Sequence, residues 1–246
     1  VIGTSGNVSM GLDRYCDNPN SDLQMFCNNE PGRWHAFGCP LTSGGAYRWY
    51  RDELCQHAVA ASKAFGENVY NLMGLEAEQS VPGSHGVIFT PYLSGERCPY
   101  PDPNARGAFY GLTLGTTPAQ LYRAIMEGVA YEFRVNLDMM AAGGIRPARL
   151  LATGGGAKSR VWNQIKADIT GLPLTVVDLP EVGAAGAAML GAQALGLVST
   201  LREAASLFSR TGETFAPNAS RRAQYDDAYA RYREMYAMAR GLRANA

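Results

Sequence analysis

Residues 150–171 read LLATGGGAKSRVWNQIKADITG. The apolar run Leu150-Leu151-Ala152 has the character of a buried strand end. It runs into three consecutive glycines, Gly154, Gly155 and Gly156. The polar turn Lys158-Ser159-Arg160 follows, then a helix pattern with Val161, Ile165 and Ile169 on one face. A strand, a glycine turn and a helix start together suit a phosphate or a nucleotide. Glycine lets a ligand approach the backbone closely, and a helix start offers unpaired N–H groups and positive dipole to an anion. Two glycine motifs do not fit. A dinucleotide fingerprint needs a glycine where Ser159 stands, and a P-loop needs one at Ala157. A plain tight connection is the competing reading of the same residues.

The 246 residues suffice for one large domain, and 46% apolar with 18% charged residues is ordinary globular composition. A net charge of zero gives no electrostatic case for nucleic acid or an anionic membrane. Cys16, Cys27, Cys39, Cys55 and Cys98 are an odd, scattered set without a CxxC pair. They point to reduced thiols in the cytoplasm and away from a zinc site or a disulfide framework. No apolar run reaches the length of a membrane span.

Taken in order, residues 1–10 (VIGTSGNVSM) read as strand, tight turn, strand. Gly3-Thr4-Ser5-Gly6 can offer N–H groups and hydroxyls to a phosphate, or can be a plain hairpin. Residues 13–33 read as loop around a short strand at 23–28, and 34–39 as the next strand; neither His35 nor His57 is assigned chemistry. Thr42-Ser43-Gly44-Gly45 resembles a helix start, suited to a ligand or to close helix packing, with helix continuing irregularly to about residue 75. After a buried strand around Val87-Ile88-Phe89, the loop 94–107 carries Glu96, Arg97, Asp102 and Arg106 between prolines, which suits a site wall. Residues 107–114 read as a strand. Thr117-Pro118-Ala119-Gln120 then opens a helix with a capping box, and Gly143-Gly144 closes it. Leu121, Ile125, Val129, Phe133, Leu137 and Met140 form its buried face, and Glu127 and Glu132 are expected on a solvated one. Residues 174–177 are a strand. Residues 183–196 are a helix of small residues, expected to pack tightly on a neighbour. The last helix carries a packing stripe of Tyr225, Tyr229, Tyr232 and Tyr236. The order implies an α/β fold with a mixed sheet flanked by helices, as one domain over 1–246 with a helical insertion at about 43–80.

Four stretches in this order resemble the C-terminal half of the FGGY family of carbohydrate kinases: GTSG at 3–6, TSGGAYRWYRD at 42–52, PYLSGERCPYPDPNARGAFYGL at 91–112 and TGGGAKSRVWNQIKADITGLPL at 153–174. Residues 107–127 are also similar to the family's second signature. Within the family, SGER followed by DPNARG looks most like the xylulose kinases. The resemblance implies an actin-like, ribonuclease-H-like ATPase fold, with sugar and ATP in a cleft between two domains. It implies that Gly3, Thr4 and Ser5 contact the ATP phosphates, and that Gly44 and Gly45 lie near phosphates and ribose. Gly155, Gly156 and Ser159 flank the adenosine, and Arg97 and Asp102 sit near the cleft. Mg²⁺ bridging the phosphates would supply much of the positive charge, with no metal ligand from this chain.

The implied reaction is ATP-dependent phosphorylation of a sugar, D-xylulose first, with gluconate, ribulose and glycerol as alternatives. A non-catalytic nucleotide-binding module is the reading of another class. The family's general base is an Asp just before the GTSG turn. The chain starts at that turn, so no catalytic residue is expected in it, and the sugar-binding N-terminal domain is expected to be a separate part of a longer protein. Alone, the chain should bind nucleotide weakly and transfer nothing. A homodimer is compatible with the sequence. Asn7, where an apolar residue is commoner, and Cys98, where the xylulose kinases carry threonine, depart from the family pattern.

Overall fold

The computed structural model describes residues 1–18, 23–179, 181–208 and 210–244. Residues 19–22, within the expected loop, lie outside the described residues. Strands β1 (Val8–Leu12), β2 (Gln24–Cys27) and β3 (Trp34–Gly38) form an antiparallel sheet in the order β1-β3-β2, with Val8 opposite Gly38 and Gln24 opposite Phe37. The expected hairpin at the start is reduced. Ile2 and Gly6 make a single antiparallel bridge, and only the second arm is a strand.

Helices α1 (Gly44–Leu54), α2 (Gln56–Phe65) and α3 (Val69–Glu78) follow. Cys55, at φ −129°, breaks α1 from α2, and Gly66 closes α2 in the left-handed region at φ +68°. Asn68 caps α3, its side chain accepting from the Tyr70 N–H at 2.9 Å. Strands β4 (Ile88–Thr90) and β5 (Ala108–Tyr110) pair antiparallel. β5 is shorter than the expected 107–114, because Gly111 at φ +82° turns the chain away from β4.

The 25-residue helix α4 (Pro118–Ala142) is the central post. Gln120 Oε1 accepts from the Thr117 N–H at 3.0 Å, so the start signal read from sequence holds. Its expected apolar face is buried, but so is most of the opposite side: Arg123, Glu127, Glu132 and Asn136 are all within the core. The solvated face expected for Glu127 and Glu132 is therefore corrected. Helices and loops cover α4 on both sides, which a single-face reading of periodicity does not anticipate. Burial, with Glu96 second, pushes the Glu132 carboxyl well above its ordinary value.

Beyond α4 come β6 (Leu150–Ala152), α5 (Arg160–Thr170), β7 (Leu174–Asp178), α6 (Val182–Ala194), α7 (Leu201–Phe208), β8 (Arg210–Phe215) and α8 (Arg222–Ala244). β6 and β7 are parallel and β8 joins β7 antiparallel. The strands thus form separate small sheets rather than one continuous sheet.

The tyrosine stripe on α8 is packing. Tyr225 accepts from Arg123 Nη2 at 2.7 Å, Tyr229 donates to Asp138 at 2.6 Å, and Tyr232 meets Tyr92 at 3.2 Å. Tyr236 stacks on Tyr100 with centroids 4.0 Å apart. The small-residue helix α6 departs from expectation. It has no buried residue, and a Cβ added at Gly183, Gly186 or Gly191 would meet nothing within 4 Å. Its main neighbour is α7. Among the described residues no helix is long and apolar enough to cross a membrane, and the five cysteines are free thiols.

Candidate nucleotide site

Three sequence-distant turns are pinned together by backbone hydrogen bonds. The Thr4 carbonyl accepts from both Ser43 and Gly45 N–H groups at 2.9 Å, fixing the 3–6 turn to the start of α1. Ile2 N–H donates to Thr153 O, and Gly156 N–H to Ile2 O, both at 3.2 Å, fixing the same turn to the glycine run after β6. Gly3 N–H closes the first turn onto Ser5 O at 3.0 Å.

This close docking divides the glycines into two kinds. A Cβ on Gly44 would clash with the Gly3 carbonyl, one on Gly45 would sit 3.0 Å from Thr4 O, and one on Gly156 2.7 Å from the Ile2 Cβ. Those glycines let the turns approach one another. Gly3 and Gly155 meet only a carbonyl at 3.9 and 4.0 Å, which is ordinary contact, so their open sides face space. Gly156→Ala is accordingly expected to lower stability by about 1–3 kcal/mol, as overpacking does, read as a shifted denaturant midpoint with unchanged slope.

The three turns surround a cavity of about 470 Å³, within the range of small-molecule sites. Gly3, Thr4, Gly44, Gly45, Gly155, Gly156 and Ser159 all line it, so the structure brings together seven of the eight residues named from sequence. Ser5 lies on the same turn but is not among the lining residues. The Thr4 and Ser5 N–H groups donate to no protein acceptor among the described residues. Ser159 also has a structural task, capping α5 by accepting from the Trp162 N–H at 3.2 Å.

Sequence reasoning missed much of the wall. Tyr47 and Arg48 stand one turn beyond the glycine pair on α1, so their position was available from helical spacing. Lys158 directly follows the glycine run. Asn68, Tyr70 and Asn71 come from the start of α3, and no motif marks them. Trp162 donates its Nε1–H to Met126 O at 2.9 Å and lies 5.5 Å, centroid to centroid, from Tyr47; Tyr47 stacks on Tyr70 at 5.8 Å. The Tyr47 hydroxyl is buried without a partner among the described residues, and burial, then Cys55, pushes its pKa well up. A buried orphan hydroxyl in a cavity wall is a group a ligand or water must satisfy.

Arg97 and Asp102 lie outside this cavity. Arg97 is exposed and reaches the Cys39 carbonyl at 3.4 Å; Asp102 accepts from Tyr236 at 3.1 Å and from the Asn104 N–H at 2.9 Å. The buried Glu96 binds the backbone instead, accepting from Leu41, Arg97 and Cys98 N–H groups at 2.7–3.1 Å. The charged loop thereby clamps the segment entering α1. Behind the glycine run, Lys166 is buried with its Nζ 3.3 Å from Gly156 O, and burial lowers its pKa to about 7. Among the described residues no three His, Cys, Asp or Glu side chains converge on a metal position.

Residues 1–195 match the model of the FGGY family of carbohydrate kinases, C-terminal domain. A xylulose kinase of Staphylococcus epidermidis is 32% identical over 244 residues, covering 99% of this chain and 47% of the relative. A gluconokinase of Bacillus subtilis is 33% identical over 215 residues, covering 86% and 41%. The crystal structure of xylulose kinase from Rhodospirillum rubrum superposes with a TM-score of 0.85 at 29% identity, covering 98% of this chain and 46% of that one. The chain spans about half the length of the curated relatives it matches. Its fold is the actin-like ATPase fold of those C-terminal domains. The chain belongs to the FGGY family of carbohydrate kinases.

Proposed function

We propose that this chain is the nucleotide-holding half of an ATP-dependent kinase that phosphorylates D-xylulose. The observation that carries the reading is the convergence of the 3–6 turn, the start of α1 and the 154–156 glycine run on one cavity. Free N–H groups on Thr4 and Ser5, with the positive end of the α1 dipole beside them, suit phosphate oxygens. Arg48 and Lys158 add two cations to the wall. Gly155 and Ser159 would flank the adenosine, above the aromatic floor of Tyr47, Tyr70 and Trp162. Mg²⁺, held by the phosphates, would contribute further charge neutralisation. What the chain supplies to transfer is therefore positioning and electrostatics. The base for the sugar hydroxyl and the residues choosing the sugar would come from an N-terminal domain of a longer protein. Arg97, exposed beside the strand end at Cys39, and Asp102 are assigned to the cleft facing that domain. Five free thiols fit a cytoplasmic enzyme.

Gly155→Asp tests the nucleotide assignment cleanly. Its Cβ has room, so the fold should keep its stability, while a carboxylate there would block the adenosine by bulk and repel the nearby phosphates. Calorimetric titration with Mg·ATP is expected to show about a 100-fold loss of affinity, ~2.7 kcal/mol. Equal affinity for variant and parent would move the nucleotide off this turn. The sugar is tested by ADP release from the longer protein with xylulose, gluconate, ribulose and glycerol. The gluconokinase relative makes gluconate the second reading. A strong preference for gluconate would change the substrate and keep the reaction.

A further inference from the structure

Glu132 projects from the middle of α4 into the core with 0% exposure, and Glu96, on the loop after β4, meets it with 3%. The two carboxyls lie within hydrogen-bond reach of each other. Their other contacts are unequal. Glu96 Oε1 accepts from the Leu41, Arg97 and Cys98 N–H groups. Glu96 Oε2 and both Glu132 oxygens are buried and have no N–H donor among the described residues. Buried acceptors require a donor, and two like charges in one buried site cannot both persist.

Among the described residues no cation forms a salt bridge with either carboxyl. The loop 94–107 brings Arg97, whose exposed guanidinium turns instead to the carbonyl and sulfur of Cys39. It also brings Tyr100 and Cys98, whose thiol donates to Asn136 Oδ1 at 2.9 Å. The end of β3 contributes Cys39, and the segment after β4 contributes Tyr92. From α8 come Tyr232, 3.2 Å from the Tyr92 hydroxyl, and the exposed Arg233 near Tyr100. The other charges of α4 are engaged elsewhere: Arg123 with Glu127, and Arg134 with Asp226. A proton on one of the two carboxyls supplies both the missing donor and the missing neutralisation.

We propose that Glu96 and Glu132 share a single proton, and that its loss opens the 96–98 loop from the segment entering α1, so that the pair is a pH-sensitive clamp. Glu132 is fixed on a 25-residue helix, whereas Glu96 sits on a loop between exposed Ser94 and Arg97, so Glu96 is the partner that moves. Its departure releases the Leu41 N–H. Two residues on, Ser43 N–H, and then Gly45 N–H, hold the Thr4 carbonyl at 2.9 Å, so the clamp steadies the anchor of the 3–6 turn. The direction with pH follows from linkage. Above the ordinary carboxyl range the folded chain keeps a proton that the unfolded chain has lost, so the stability conferred by the clamp falls as pH rises. Burial, with Glu96 second, raises the Glu132 carboxyl in the same sense.

Hydrogen exchange on the longer protein from pH 6 to pH 9 reads the clamp against an internal standard. The Leu41, Arg97 and Cys98 amides donate to Glu96, while the Gly83 amide donates to Glu127, a buried carboxylate with Arg123 as its counter-charge. After correction for the intrinsic exchange rate, the three clamp amides should lose about tenfold or more of their protection relative to Gly83 as pH rises. Glu132→Gln keeps the shape and gives Glu96 a permanent donor, and should keep the three amides protected across the range. Protection independent of pH in the parent would overturn the inference. Equal loss at Gly83 would overturn it too, by showing that the opening is global. So would a loss that persists in Glu132→Gln, by moving the proton to another group. If that variant does not fold, the comparison with Gly83 in the parent decides alone. Exchange needs neither sugar nor nucleotide, so the outcome is independent of the kinase reading.

Discussion

Glu127→Ala is expected to destabilise the protein by about 3–5 kcal/mol, the usual cost of breaking a buried ion pair from one side. Glu127 is 1% exposed and Arg123 5%. Arg123 Nε donates to Glu127 Oε1 at 2.8 Å, and its other nitrogens reach the Tyr225 hydroxyl at 2.7 Å and Ala77 O at 3.4 Å. Glu127 accepts further from the Gly83 N–H at 3.0 Å and Ser84 Oγ at 2.8 Å. One carboxylate thus fastens α4 to the tight turn before β4, and through Arg123 to α3 and α8. Burial raises the Glu127 carboxyl from its ordinary value against the pull of Arg123. Burial also works against the Arg123 charge, but Glu127 and Tyr225 more than offset it, so the guanidinium stays raised. Removing the carboxylate leaves that cation in the core with no counter-charge. The double variant Arg123→Met with Glu127→Leu is expected to cost less than Glu127→Ala alone, because it removes both charges and restores volume. Urea denaturation of the two variants decides this. A double variant costing the sum of its two single changes would show that the pair is not coupled.

In sequence, Arg123 and Glu127 are an i,i+4 pair of the kind that decorates solvated helices. Nothing local distinguishes them from Arg222 and Asp226, which are such a surface pair on α8. Burial is decided by what packs on the second side of α4, and that is set by residues 40 and 100 positions away. The glycine turns behaved differently. What they offer is backbone, which the residue type itself dictates, so Gly3, Gly44, Gly45, Gly155 and Gly156 could be named from sequence, and all five line the same cavity. Sequence could not separate the glycines with open space beside them from those that admit another turn. That distinction depends on which carbonyl faces each missing Cβ. Asn68 and Tyr70 were invisible for a third reason: they reach the cavity only because α2 ends at Gly66 and turns α3 back onto α1. The strands form three separate sheets, because strand pairing is decided by contacts between residues far apart in the chain, which no local pattern displays.

Lys166→Met is expected to stabilise the chain, most strongly at neutral pH and below. Lys166 is 4% exposed, and its Nζ has Gly156 O as its hydrogen-bond acceptor and the Trp162 ring at 5.8 Å. Among its described contacts no carboxylate approaches it, and burial lowers its pKa from 10.5 to about 7. The unfolded chain binds this proton up to about pH 10.5, while the folded chain releases it near 7. Between those values the unfolded state holds more protons, so stability rises with pH across the window. The cost of the buried amine is therefore full at pH 7 and below and vanishes as pH approaches 10.5. At one pKa unit per 1.36 kcal/mol the full cost is on the order of 5 kcal/mol. Methionine keeps much of the side-chain volume, loses one hydrogen bond to Gly156 O, worth about 1 kcal/mol, and removes the charge. Thermal or urea unfolding of parent and variant from pH 6 to pH 10 should show a gap of about 4 kcal/mol at the acid end that closes steadily toward the alkaline end. A gap independent of pH would mean that Lys166 is not desolvated in solution. A gap that widened with pH would require an acidic partner holding the ammonium charged, which would place an anion beside Lys166.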